Sequence, residues 1–315
     1  HPYGEVTTEA TLAKITRDDV QQYFKETFVP EGSYLVIVGD ITKAKAEEVV
    51  NKYFSSWSGK SLPKVDYPSA KNLNGNRVIF VKKTGAVQSY IQVAFPLDVK
   101  IGDANNIPLN VTNSIFGGSG FGTRLMQNLR EDKAYTYGCY SSLNITEDGS
   151  WMSAGGNFQN AVTDSAIEQI LHEFQKITTE YVKDEELNLT KTNMAGGFAR
   201  SLERPQTIAR FALNIIKNNL PKDYYQTYLQ RLESVSKEDV LQMAQQYFPA
   251  KNCNIMVVGN EDVFEKLKRF DADGKIEVLD PFGNVMKDSK PADITSAQLI
   301  DNYVFALTGT TSLKA

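Results

Sequence analysis

An internal repeat constrains the fold of this chain more than any other feature. Residues 16–39 and 236–259 read alike: each starts with a hydroxyl residue and an acidic turn, continues to Phe28 or Phe248, and ends at a glycine. The offset stays at 220 residues, from 16 to 236, from 28 to 248 and from 39 to 259. A helix, a turn, a strand and a glycine in constant register indicate a duplicated unit.

Each copy carries the same local signals. Thr16 and Ser236 are good N-cap residues, since a hydroxyl can accept from a free amide of the first helical turn. The acidic residues that follow suit the positive end of the helix dipole. The runs Leu35–Val38 and Ile255–Val258 are short and apolar and precede a glycine, which is typical of buried strands.

The repeat also predicts the domain organisation. The second copy follows a long stretch, residues 76–235, whereas only fifteen residues precede Thr16. If the copies are homologous, we expect roughly 145 further residues before His1. We therefore expect residues 1–70 to be the C-terminal part of a first domain plus a linker, and residues 71–315 to be a second domain with a C-terminal extension, in a chain that is a fragment of a longer protein.

The rest of the chain predicts an α+β fold. Two β-rich runs, 77–83 and 88–97, precede a helical stretch and a β-hairpin around Glu147-Asp148-Gly149. Helices are predicted near 162–181, 184–201, 205–218 and 222–233. This order predicts helices packed on one face of a mainly antiparallel sheet.

Composition excludes some classes of partner. The net charge is -4, and no block of Lys or Arg offers a footprint for nucleic acid. No apolar run approaches the roughly 20 residues that cross a bilayer, so no membrane span is expected.

Metal and nucleophile chemistry have little support in the sequence. The only histidines, His1 and His172, belong to neither H-E-x-x-H nor H-x-x-E-H, and a catalytic zinc needs about three protein ligands. Cys139 and Cys253 form no C-x-x-C pair. The glycine run 117–122 lacks the phosphate-binding pattern G-x-x-x-x-G-K-[ST], and no G-x-S-x-G elbow is present. We predict no metal site in this chain.

The segment from Leu129 to Tyr137 is the best candidate for chemistry. Arg130 is predicted at the end of a helix and Tyr137 near the start of a strand, and both side chains can donate hydrogen bonds to a carbonyl or an oxyanion. The alternative is structural, with Arg130 complementing the helix dipole and Tyr137 packed on the core. The residues alone favour the structural alternative.

A family resemblance changes this weighing. Gly117-Gly118, Gly122-Thr123-Arg124-Leu125, Leu129-Arg130-Glu131 and Tyr137 together resemble the C-terminal domain of the insulinase/pitrilysin (M16) family of zinc metallopeptidases. Mitochondrial processing peptidase subunits and bacterial two-subunit relatives belong to that family. His1-Pro2-Tyr3-Gly4 and residues 16–40 resemble the end of its N-terminal domain, and the similarity extends to about residue 270.

The resemblance implies a function. An Arg and a Tyr seven residues apart bind the substrate backbone in that family, so Arg130 and Tyr137, with Gly117 and Gly118, are the implied substrate-binding residues. The family's zinc motif lies upstream of the H-P-Y-G segment. We therefore expect zinc in the intact enzyme or in a partner subunit, and no hydrolysis by this chain alone. Peptide or unfolded polypeptide would be enclosed in a clamshell between this part and a zinc-bearing half or homologous subunit, adding a strand. A bacterial periplasm or cell envelope is the expected location.

Two alternatives stay open at this point. The chain could belong to a non-catalytic scaffold or peptide-binding subunit of the same family. It could also be an unrelated α+β binding protein with a fortuitous match, which would be favoured if the two repeated segments did not form matching helix–strand units.

Overall fold

The computed structural model describes residues 4–68, 70, 73–249, 251–286 and 295–308. The described residues exclude His1, Pro2 and Tyr3. These three belong to the H-P-Y-G segment of the family resemblance, and His1 is one of the two histidines considered as metal ligands.

Helices occupy much of the described chain. In order they are α1 (Glu9–Leu12), α2 (Arg17–Thr27), α3 (Lys43–Phe54), α4 (Asn106–Asn113), α5 (Arg124–Met126), α6 (Thr163–Thr179), α7 (Asp184–Ser201), α8 (Pro205–Lys217), α9 (Tyr228–Glu233), α10 (Lys237–Tyr247), α11 (Phe264–Leu267) and α12 (Ser296–Thr308). Two π-helical turns, Ser114–Gly118 and Gln127–Asp132, continue α4 and α5. The predicted helix at 222–233 is shorter than expected, because turns occupy the residues before Tyr228.

Six strands form one mixed sheet. They are β1 (Arg77–Lys82), β2 (Gln88–Leu97), β3 (Cys139–Asn144), β4 (Ser150–Gln159), β5 (Asn254–Gly259) and β6 (Glu277–Leu279). Their order across the sheet is β3-β4-β2-β5-β1-β6. Three of the five pairings are antiparallel, and β1 pairs with β5 and β6 in parallel. The sheet agrees with the predicted, mainly antiparallel arrangement.

The core lies on one face of this sheet. Alternate residues of β2 are buried, as expected for a strand with one covered face. Phe174 of α6 is at the centre of the core, with its ring centroid 5.6 Å from Phe95, 4.5 Å from Phe116 and 5.9 Å from Phe248. Strand β2, helix α6 and helix α10 therefore meet in one apolar layer, which confirms helices packed on one face and the α+β class.

The helices of the two repeated segments have matching caps. The Thr16 amide donates to Asp19 Oδ2 at 2.8 Å, and the Ser236 amide donates to Asp239 Oδ2 at 2.8 Å. In return the Asp19 and Asp239 amides donate to the hydroxyls of Thr16 and Ser236 at 3.2 and 3.1 Å. Helices α2 and α10 therefore both span eleven residues and begin with the same capping box.

The two copies differ in what covers them. No residue of α2 is buried, whereas α10 buries Val240, Met243, Ala244 and Tyr247. Seven exposed apolar side chains of the first copy have an apolar residue at the corresponding position of the second copy, 220 residues later. They are Val20, Tyr23, Phe24, Phe28, Leu35, Ile37 and Val38. These seven side chains are called the uncovered apolar face below.

The strand predicted at Leu35–Val38 is absent. Residues 33–38 have no strand pairing, whereas Ile255–Val258 lie in β5 between β1 and β2. A strand needs a neighbour to satisfy its backbone groups, and within the described residues no segment is placed beside the first copy to provide one. The first copy thus forms the helix of the repeated unit but not its strand.

No helix in the described part of the chain combines the length and the apolar character that a bilayer crossing requires.

Candidate functional site

The glycine-rich segment begins as a π-helical turn that packs closely against strand β3. A Cβ atom on the buried Gly117 would lie 2.7 Å from Leu125 Cδ1 and 2.8 Å from the Ser141 amide nitrogen. A Cβ atom on Gly118, which is exposed, would lie 2.4 Å from the Asn113 side-chain nitrogen. Close packing therefore accounts for glycine at both positions. The contribution of Gly117 and Gly118 to substrate binding stays a prediction.

The segment continues as an open turn. Gly120 has φ +90° and Gly122 has φ +81°, and a Cβ atom on either glycine would contact nothing within 4 Å. Between them Phe121 presents a ring that is 75% exposed. Glycine permits the left-handed conformation on both sides, so the backbone turns sharply around this aromatic residue.

The helix that carries Arg130 is anchored from the inside. Its N-cap Thr123 donates to the Gly120 carbonyl at 3.0 Å, and Leu125, Met126 and Leu129 are buried. The Asn128 side-chain Nδ2 donates to Oε1 of the buried Glu173 carboxylate on α6 at 2.6 Å. The inner side of the helix is thereby fixed.

Arg130 lies near two side chains. Its Nε atom is 3.4 Å from Glu131 Oε1, and its guanidinium carbon is 4.7 Å from the ring centroid of Phe121. The Arg130 side chain keeps 33% of its accessible surface. The guanidinium is therefore within reach of a ligand from solvent.

The chain reverses between Arg130 and Tyr137. Ala134 has φ +52°, and its amide donates to the Arg130 carbonyl at 3.1 Å. The Thr136 hydroxyl donates to the Asn157 carbonyl of β4, which fixes the end of the turn at the sheet. Tyr137 follows with 88% of its surface exposed, two residues before β3 begins.

This exposure bears on the alternative readings of the site. A tyrosine packed on the core would be buried, whereas Tyr137 is 88% exposed. The structural alternative, in which Tyr137 packs on the core, therefore does not hold for this side chain. Arg130 does lie in the last turn of its helix, where a cation complements the dipole. The arrangement offers two hydrogen-bond donors, a guanidinium and a phenol, at the two ends of one turn.

An ion pair beside the site was not predicted from the sequence. Arg124 donates from Nε to Glu186 Oε1 at 3.1 Å and from Nη2 to Glu186 Oε2 at 3.3 Å. Burial alone would raise the pKa of Glu186, but hydrogen bonds from Arg124 and from the Lys183 amide bring this pKa below its usual value. The pair joins α5 to the start of α7. The partners are 62 residues apart, and no local pattern links them.

Zinc does not fit the described residues. His172 is exposed on α6, and no group of three or more His, Cys, Asp or Glu side chains that could hold a metal occurs in the described ranges. Cys139 and Cys253 are buried, and burial raises the pKa of the Cys253 thiol to about 12, so a thiolate ligand is disfavoured there.

Known proteins resemble this chain over most of its length. The family model of the peptidase M16 inactive domain matches residues 14–194. The uncharacterized zinc protease YmxG of Bacillus subtilis is 26% identical over 253 residues, which cover 78% of this chain and 58% of that protein. The non-peptidase homolog YmxG of Helicobacter pylori is 20% identical over 258 residues, covering 81% and 58%.

Solved structures agree with the sequence relatives. The peptidase M16 inactive domain from Pseudomonas fluorescens has a TM-score of 0.72 and 19% identity, and the match covers 80% of this chain and 60% of that one. The chain thus spans about three fifths of the length of the relatives it matches.

The six-stranded mixed sheet, with helices on one face, is an α+β fold that this chain shares with the inactive domain from Pseudomonas fluorescens. The chain belongs to the M16 peptidase family and contains its inactive domain. The family expected from the glycine-rich segment is thereby confirmed, and several relatives are named as zinc proteases.

Proposed function

We propose that this chain contributes the substrate-binding part of a zinc-dependent endopeptidase, with Arg130 and Tyr137 donating hydrogen bonds to the carbonyl of a bound peptide. The observation that carries the proposal is the exposure of Tyr137, 88%, at the end of a turn that starts at Arg130. An exposed phenol with a fixed backbone is available to a ligand, and it does not contribute to the core.

The backbone around the two donors is held by the rest of the domain. Two residues before Arg130, the Asn128 side chain donates to Glu173, and immediately before Tyr137 the Thr136 hydroxyl donates to the Asn157 carbonyl. Fixed donors favour a developing negative charge on a carbonyl oxygen more than mobile ones do, because little reorganisation is needed. The same donors bind any peptide backbone, so they give affinity with little preference for side chains.

The zinc site belongs to another part of the enzyme in this proposal, since the described residues do not supply a ligand set.

The domain division is part of the same proposal. Residues 1–70 end a first domain of the same kind, and the uncovered apolar face packs against more of that domain, in the same protein or in a homologous subunit. Six of the seven corresponding residues in the second copy support this, because they are buried: Val240, Met243, Ala244, Phe248, Ile255 and Val257. The seventh, Val258, is half-buried.

The test uses the zinc-loaded full protein with fluorescein-labelled β-casein, an unfolded polypeptide. Replacing one transition-state donor commonly costs about 10²–10³ in turnover, so Tyr137→Phe and Arg130→Ala should each lower kcat strongly. Tyr181→Phe is the matched control, because this tyrosine is also exposed but lies outside the turn that joins Arg130 to Tyr137. Unchanged kcat in both site variants would refute the assigned roles.

A second function has one observation in its favour. The Helicobacter pylori relative is named a non-peptidase homolog. In a non-catalytic subunit the same two donors would bind polypeptide without hydrolysis. Casein that binds the full protein with Tyr137-dependent affinity, but is not cleaved at any zinc concentration, would favour this function over the first.

A further inference from the structure

Phe121 is an exposed aromatic ring for which the fold of the domain gives no packing role. It lies between two glycines in the left-handed conformation, and the space around both glycines is open. Its ring is 75% exposed, although burial is the favourable state for a side chain of this kind. The Arg130 guanidinium lies over its face, with the central carbon 4.7 Å from the ring centroid.

This contact has a property that matters for a ligand-binding arginine. A guanidinium over an aromatic ring is attracted by the π electrons, and in the stacked arrangement that arginine adopts on aromatic faces it is held through the face of its plane. Its five N–H donors point outward within that plane and are not consumed by the ring. A carboxylate partner would instead take two of these donors.

The other neighbour of Arg130 is a weaker restraint. Glu131 is adjacent in sequence and more than half exposed, and its Oε1 atom is 3.4 Å from Arg130 Nε. An exposed ion pair of this length fixes a side chain poorly because solvent screens it. Phe121 is therefore the neighbour suited to set the orientation of the guanidinium plane.

We propose that Phe121 is a positioning residue for Arg130: its ring orients the guanidinium and leaves the N–H groups free for a peptide carbonyl. This inference rests on the substrate-binding role proposed for Arg130. The glycines on both sides then have a further role, since they let the turn place the ring over a side chain nine residues further along.

The first experiment measures kcat/KM for fluorescein-labelled β-casein with the zinc-loaded full protein. Phe121→Leu keeps an apolar side chain and removes the π face, whereas Phe121→Tyr keeps both. An exposed cation–π contact corresponds to about a two- to fivefold effect, so Phe121→Leu should lose that factor and Phe121→Tyr should retain activity. Phe282→Leu, another exposed phenylalanine, is the control and should be neutral.

A double variant distinguishes an effect of Phe121 through Arg130 from a direct contact of Phe121 with the peptide. In an Arg130→Ala background, Phe121→Leu should have no further effect. An equal loss in that background would show that Phe121 contacts the peptide directly and would overturn the positioning role. If Arg130→Ala itself changes nothing, the proposed function fails instead.

A spectroscopic measurement tests the geometry without any activity. The Nε–H proton of Arg130 should show an upfield ring-current shift in the wild type and in Phe121→Tyr, and lose it in Phe121→Leu. The same shift in Phe121→Leu as in the wild type would refute the stacking. All variants should keep the wild-type thermal unfolding temperature, because the ring is exposed.

Discussion

Val20 and Val240 occupy the same position in two capped helices, yet Val20 is 57% exposed and Val240 is 1% exposed. Both valines follow an acidic first turn, and both helices span eleven residues. The difference arises from their surroundings: Val240 packs in an apolar cluster with Val111 and Leu232, and the first copy has no equivalent layer in the described part of the chain.

Val20→Ala and Val240→Ala form a matched pair of substitutions. The change in helix propensity is the same in both, so their difference reports burial. Val240→Ala should lower the free energy of unfolding by about 1–3 kcal/mol because it leaves a cavity, and Val20→Ala should stay within about 0.5 kcal/mol. Urea unfolding of this chain measures both values.

The same pair tests the domain division in the full protein. In the full protein, Val20→Ala should lower the free energy of unfolding as much as Val240→Ala does, because the uncovered apolar face would be covered. A neutral Val20→Ala in the full protein would contradict the proposal that this face packs inside a first domain.

The Arg124–Glu186 pair predicts a pH dependence of stability. The pKa of Glu186 is lower in the folded chain than its usual value of 4.5, so its contribution is complete above that value and is lost as the pH falls through the folded pKa. The difference in free energy of unfolding between the wild type and Glu186→Gln should therefore shrink as the pH falls below the unfolded pKa of 4.5 and through the lower folded pKa. Glu185→Gln, at the exposed neighbouring position, controls for charge. A difference that does not change with pH would rule out the linkage.

Gly117→Ala and Gly197→Ala should change the stability of the fold in opposite directions. A Cβ atom on Gly117 would meet Leu125 and Ser141 within 2.8 Å, so Gly117→Ala should destabilise by about 1–3 kcal/mol through overpacking. A Cβ atom on Gly197, inside α7, would contact nothing within 4 Å. Gly197→Ala should stabilise by about 0.5–1 kcal/mol through helix propensity. Thermal unfolding measures both, and equal signs would contradict the close packing of Gly117.

Ala134→Gly should stabilise the turn between Arg130 and Tyr137. Ala134 has φ +52°, which costs an L-residue roughly 1–2 kcal/mol, while the added flexibility of glycine in the unfolded chain offsets about 0.5–1 kcal/mol. A net gain of up to about 1.5 kcal/mol is expected, and urea unfolding measures it. The control Ala199→Gly, at an exposed position of α7, should instead lose about 1 kcal/mol. Loss of stability in both variants would contradict the left-handed conformation at Ala134.

Much of the local structure was predictable from the sequence. The strand predicted at 88–97 is β2, and the helices predicted at 184–201 and 205–218 are α7 and α8 to within one residue. The N-caps Thr16 and Ser236 were also predicted correctly. These features depend on side-chain periodicity and on bonds between residues three apart, so a short window of sequence contains the information.

The candidate site was only partly predictable. Arg130 and Tyr137 were predicted from their spacing and the family resemblance, and their role stays a prediction; the exposure of Tyr137 came from the structure. The cation–π contact of Arg130 with Phe121 and the ion pair of Arg124 with Glu186 were not predicted. Each joins residues whose separation in the chain carries no pattern, so their meeting depends on how the turns and helices pack.

The sequence by itself determined that residues 16–39 and 236–259 are two versions of one unit with the same cap and the same helix. Only the tertiary structure decided that Ile255–Val258 become the strand β5, between β1 and β2, while Leu35–Val38 remain unpaired. A helix satisfies its own backbone hydrogen bonds, but a strand needs neighbours. Two equivalent segments therefore differ, because a strand forms only where the rest of the fold supplies neighbouring strands.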